Sequence, residues 1–166
     1  MGLYSKDAHY LKLSLEELNA LSDEQFFYAV LVRTERKVDG FADWGEGVNS
    51  LNPHQKIFYC VNWLETEVNN GGLCQFFVNY SRMAAPLVSD YMAIIGAQEH
   101  KKLYDDFLLE NGIDPKNLSS FDIEELEEFE GQYERYPFDE YDDAFDELEP
   151  LESYLTKYAR EHLESF

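Results

Sequence analysis

The chain has 166 residues, with 34 Asp and Glu against 13 Lys and Arg, and a formal net charge of −21. Its length suits a single domain, and 16% aromatic content supplies enough core material to argue against intrinsic disorder despite the charge. A surface this anionic repels nucleic acid and membrane headgroups and attracts basic protein, and no segment is long and apolar enough to span a bilayer.

Helix signals dominate from the start. Ser14-Leu15-Glu16-Glu17 and Ser22-Asp23-Glu24-Gln25 both fit the capping box, and the second opens a helix through Phe26, Phe27, Val30 and Leu31. Gly40, Gly45 and Gly47, with Asp43 and Trp44, predict a loop. Asn52-Pro53 then places a cap and a first-turn proline at the head of a third helix, whose buried stripe is Ile57, Val61, Leu64 and Val68. That helix stops at Asn70-Gly71-Gly72. A short helix over 73–80 follows, then one starting near Pro86 and ending at Gly96, and one over 98–111 closed by Gly112.

Residues 121–149 are the most charged part of the chain, with fourteen Asp or Glu and one base, Arg135. Leu126, Phe129, Tyr133 and Tyr136 step by three and four, and Phe138, Tyr141, Phe145 and Leu148 repeat the pattern. This predicts two amphipathic helices separated by Pro137, each with an apolar stripe and an anionic outer face. Generic solubility does not require such concentration: residues 1–120 carry 17 acids and 10 bases, and 121–166 carry 17 acids and 3 bases. Pro150 begins a last helix with Leu151, Leu155, Tyr158 and His162 on one side. No period-two alternation appears. The expectation is an all-α single compact bundle of about seven to nine helices over 1–166, with an acidic C-terminal helical face.

The string from Glu67 to Asn79, EVNNGGLCQFFVN, is the most unusual in the chain. Its paired glycines let two helices meet closely, and Gln75 and Asn79 fall four apart, where amides can bond exposed backbone at the junction. Phe76 and Phe77 must be partly buried. Amides neither ionise nor serve readily as base or nucleophile, so Asn70, Gly71, Gly72, Gln75, Phe76, Phe77 and Asn79 are read as a structural motif rather than a ligand pocket.

This string resembles the N-G-G-x-x-Q-F-F-x-N signature of a family of small all-helical proteins grouped around a bacterial DNA-mimic protein. Ile95-Gly96-Ala97, and Asp142, Asp143, Phe145, Tyr158 and Phe166 toward the end, support the likeness, which covers 53–166. Leu73 departs from the aromatic residue usual after the two glycines. The resemblance implies a helical domain without catalytic activity whose acidic face imitates DNA phosphates toward a regulator.

Duplex DNA displays about one charge per 1.7 Å of axis. A helix over 121–136 would span about 24 Å, and fourteen carboxylates shared by two such helices side by side reach the same density. Crowding should also raise carboxylate pKa values, so that acidification from pH 7 toward 5 stabilises the fold.

Enzyme signatures are missing: there is no Glu-x-x-His pair, phosphate loop or nucleophile elbow. His9, His54, His100 and His162 are scattered, at predicted helix ends or surfaces. Cys60 reads as core, and Cys74 as structural, although a helix start can lower a thiol pKa. Two cysteines without CxxC spacing, and no secretion signal at the start, fit a reduced cytoplasmic setting. Asp142, Asp143 and Glu147 could collect a divalent cation only nonspecifically. No cofactor and no metal site are expected.

The expected partner surface is Glu124, Glu125, Glu127, Glu128, Asp139, Asp142, Asp143, Asp146 and Glu147, on a monomer or homodimer. Its partner would be a basic protein, either a DNA-binding regulator whose DNA site the mimic occupies or a toxin, such as a nuclease, neutralised by an immunity-type protein. Direct nucleic-acid binding and membrane binding are excluded by charge.

Overall fold

The computed structural model describes residues 7–166, and every regular element among them is helical. In chain order the α-helices are α1 (Leu15–Asn19), α2 (Asp23–Val38), α3 (Trp44–Ser50), α4 (Pro53–Val78), α5 (Ala85–Ile95), α6 (Gln98–Asn111), α7 (Leu126–Arg135), α8 (Phe138–Asp146) and α9 (Leu151–Glu161). The all-α expectation and its helix count hold. The chain divides into two compact units, one of residues up to Tyr59 together with Glu152–Phe166, the other Cys60–Leu151.

In the first unit, Ser14 caps α1 reciprocally with Glu17: the Ser14 hydroxyl accepts from the Glu17 N–H at 3.2 Å, and the Glu17 carboxylate accepts from the Ser14 N–H at 2.8 Å. Ser22 caps α2 by accepting from the Gln25 N–H. The segment expected to be a loop contains α3 instead. Asp43 accepts from the Glu46 N–H at 2.9 Å and nucleates it, and the glycines serve close packing: a Cβ on Gly47 would lie 2.7 Å from Val38 Cγ1. Glycine there marks helix-to-helix proximity, which local sequence does not distinguish from a turn. Arg160 ties the unit together, stacking 4.1 Å above the Phe26 ring while donating to the Asn19 and Leu21 carbonyls and to Asp23. Phe58 packs on both Phe27 and Phe166.

The second unit is built around aromatic rings. Phe77 lies 5.1 Å from Phe121 and 6.2 Å from Phe138, and Phe107 lies 5.2 Å from both Phe138 and Tyr141, centroid to centroid. Phe76, Phe77, Tyr104, Phe121 and Phe138 have no exposed surface. Each of these rings removes about 2–3 kcal/mol worth of apolar surface from water, which outweighs the few tenths of a kcal/mol lost per repelling carboxylate pair on α7 and α8. α5 and α6 end at Gly96 and Gly112 as the sequence predicts.

The first acidic helix is shorter than expected. Residues 119–121 form a 3₁₀ turn and α7 begins only at Leu126, so its ten residues span about 15 Å rather than 24 Å. Phe121 turns into the core instead of continuing a helical stripe, and burying that ring decides the backbone path. Leu126, predicted to lie beneath the acids, is 71% exposed, and Phe129, Tyr133 and Tyr136 are only half-buried.

Candidate functional site

Everything at the junction of the two glycines follows from one backbone conformation. Gly72 has φ 78° and ψ 173°, a region open in practice to glycine alone. It breaks α4 into an arm over 53–70 and a short arm over 73–78 whose first N–H groups need acceptors. Asp142, on α8, supplies one: its Oδ1 accepts from the Leu73 N–H at 2.8 Å. Tyr133 of α7 donates to the Gly71 carbonyl at 3.1 Å. A Cβ on Gly72 would sit 2.1 Å from Asp142 Oδ2 and 2.8 Å from the Tyr133 hydroxyl, so close approach as well as torsion requires glycine.

The amides of the motif bond elsewhere than expected. Gln75 Nε2 donates to Glu67 Oε2 at 2.6 Å and Asn79 Nδ2 to the same oxygen at 2.9 Å, while Ser81 Oγ donates to Glu67 Oε1 at 2.9 Å. Glu67 is 5% exposed, and its charge is accommodated by three side-chain donors rather than by a cation. Sequence reading missed it, although it is the one acid within the 67–79 string and lies among three residues able to donate. Glu65, likewise buried, accepts from the Leu151 N–H at 2.6 Å at the start of α9. Asn70 is exposed.

Thirteen of the fourteen carboxylates in 121–149 are exposed. Asp142 is the exception, half-buried, and it departs from the expected partner surface because it faces the Gly71-Gly72 junction. Burial raises its pKa to about 6, opposed by the Leu73 hydrogen bond and reinforced by Asp139, Asp146 and Asp143. Glu124, Glu125, Glu127, Glu128, Asp139, Asp143, Asp146 and Glu147 all lie at the surface. Glu128 also accepts from the Glu124 and Glu125 N–H groups at 2.6 and 3.3 Å, which holds its pKa below the ordinary carboxylate value. Among the described residues, Asp122, paired with Arg82 at 2.5 Å, is the one member of the fourteen in an ion pair. Arg135 lies over the Tyr136 ring, 5.1 Å from its centroid. The charge is concentrated in the second unit, whose 22 acids and 5 bases give −17, against 12 acids and 8 bases, −4, in the first.

The remaining ionisable groups offer little chemistry. Burial and the nearby Asp142 push the Cys74 thiol up to about 12, the reverse of an activated nucleophile, and both cysteines are buried and free. His100 is not at a surface but 1% exposed, against the Phe145 ring at 5.2 Å. His54 and His162 are not scattered: their rings stack at 4.1 Å, with His54 Nδ1 2.7 Å from the Tyr158 hydroxyl. No group of three or more His, Cys, Asp or Glu able to hold a metal ion occurs among the described residues, and no helix among them is long and apolar enough to cross a membrane.

These features define an all-helical domain whose distinctive surface is a field of uncompensated carboxylates mounted on an aromatic core. Residues 49–162 match the model of the DMP19-like protein family, and the chain belongs to that family. No curated protein and no solved structure matches it.

Proposed function

We propose that this is a non-enzymatic acidic binding protein, a DNA mimic that occupies the DNA-binding surface of a transcription regulator or another basic DNA-binding protein. The observation that carries the reading is the set of twelve exposed carboxylates within 121–149 that take part in no ion pair among the described residues. Charges left without internal partners keep their full attraction for an external cation, and the field they create speeds association with a basic patch. Eight of them lie on α7 and α8, each about 14–15 Å long, so the pair presents about one carboxylate per 1.9 Å of helix length, close to the phosphate spacing of a duplex. Membership of the DMP19-like family adds support. Asp142, Glu65 and Glu67 take no part in recognition, since each is committed to internal donors.

The test is competition. A partner captured from the native cell at low salt and eluted by a salt gradient is purified and titrated with this protein while bound to a labelled duplex. Mimicry requires that the protein displace the duplex. Simultaneous binding of both with unchanged affinities overturns mimicry and leaves an immunity-type or other acidic interface.

A further inference from the structure

Leu126, predicted to be covered, opens one wall of a groove of about 570 Å³ floored by Val78, Ile123, Leu126 and Phe129. Such a volume lies in the range of pre-formed binding clefts. Its polar wall consists of Gln75 and Asn79, whose amide nitrogens are held by the buried Glu67, so the wall is fixed rather than adaptable. Its rim is formed by Glu124 and Glu125, and the two rim N–H groups are pinned by Glu128. An apolar floor under a purely anionic rim repels DNA and acidic segments alike, including a second copy's acidic helices. A neutral apolar occupant would leave the rim charges unused.

We propose that this groove receives one aliphatic or aromatic side chain of the partner, flanked on the partner by Lys or Arg that reach Glu124 and Glu125. The inference rests on the acidic-face reading above and adds to it an apolar anchor. A phosphate mimic made only of charge is screened away by salt; an anchor contributes affinity that salt does not remove and distinguishes partners of equal charge.

The test uses two fluorescent helical peptides of the same alanine-based sequence with four lysines, one with a central leucine and one with serine in that place, titrated by anisotropy at low and high salt. The wild-type protein should bind the leucine peptide about tenfold more tightly. That ratio should persist as salt weakens both. Leu126→Ser, at a position too exposed to affect folding, should bring the ratio toward one and leave the serine peptide's affinity unchanged, whereas Glu124→Gln with Glu125→Gln should weaken both peptides equally. A ratio of one on the wild type, or a ratio unaltered by Leu126→Ser, overturns the groove; if the serine peptide still binds in a salt-sensitive manner, the acidic-face reading survives. Failure of both peptides to bind at low salt overturns both.

Discussion

Asp142 and Leu73 lie 69 positions apart, and the carboxylate of the first accepts a 2.8 Å hydrogen bond from the backbone N–H of the second. One acid of the charged region thereby caps the helix that starts inside the glycine motif. The two conspicuous features of the sequence are parts of one structure, and substitutions in either should be felt in the other.

Gly72→Val should cost about 3 kcal/mol, because valine is strained at φ 78° and its Cβ would meet Asp142 Oδ2 at 2.1 Å. At this chain length the melting temperature should fall by about 6–12 °C. Partner affinity measured on the folded fraction should stay close to wild type. A variant that melted normally yet lost binding would make the motif a binding site instead.

Glu67→Leu should destabilise by about 2–3 kcal/mol in urea titration, since it removes the acceptor shared by Gln75, Asn79 and Ser81 and leaves the buried Ser81 hydroxyl without one. Glu67→Gln keeps part of the acceptor capacity and should cost less. Equal losses would show that shape, not hydrogen bonding, holds the junction.

The pH dependence separates Asp142 from its neighbours. Its folded pKa, about 6, lies above the unfolded value near 4, so the folded form takes up the proton first and stability rises as pH falls through 6. Burial lowers the pKa of His54 and His100, and their contribution runs the other way, lost as pH falls below about 6.5. Glu17 and Glu128, both lowered by backbone hydrogen bonds, withdraw stability as pH falls below about 4.5. Wild type alone therefore mixes opposing terms. Asp142→Asn, which mimics the protonated acid, should melt higher than wild type at pH 7.5, with a gap that closes toward pH 5. A gap independent of pH would refute the assignment. Expected acid stabilisation is thus traced first to burial of one carboxyl, with crowding by Asp139, Asp146 and Asp143 secondary.

Reversing Glu124, Glu127, Asp139 and Asp143 to Lys should abolish partner binding while circular dichroism and melting stay near wild type, because all four are exposed and unpaired with cations. Wild-type affinity should fall steeply between 50 and about 300 mM salt as screening tightens below 8 Å. Binding that survives the four reversals would place the interface elsewhere.

Short-range chemistry was legible in the linear sequence. Ser14, Ser22 and Asn52 announce helix starts, Gly96 and Gly112 announce ends, and steps of three and four through Phe138, Tyr141 and Phe145 announce a buried stripe, because each signal acts within one or two turns of backbone. The density of acids on α7 and α8 was equally plain, as was the break at Gly71-Gly72. What local pattern could not decide was which acids face water. Asp142, Glu65 and Glu67 look in sequence like their exposed neighbours, and they turn inward because helix starts at Leu73 and Leu151, and the amides of Gln75 and Asn79, require acceptors that only the folded chain brings within 3 Å. The same holds for α3, where glycine reads as a loop until Val38 lies against Gly47, and for α7, whose start moves to Leu126 because burying Phe121 among Phe77, Tyr136 and Phe138 outweighs extending a helix by one turn.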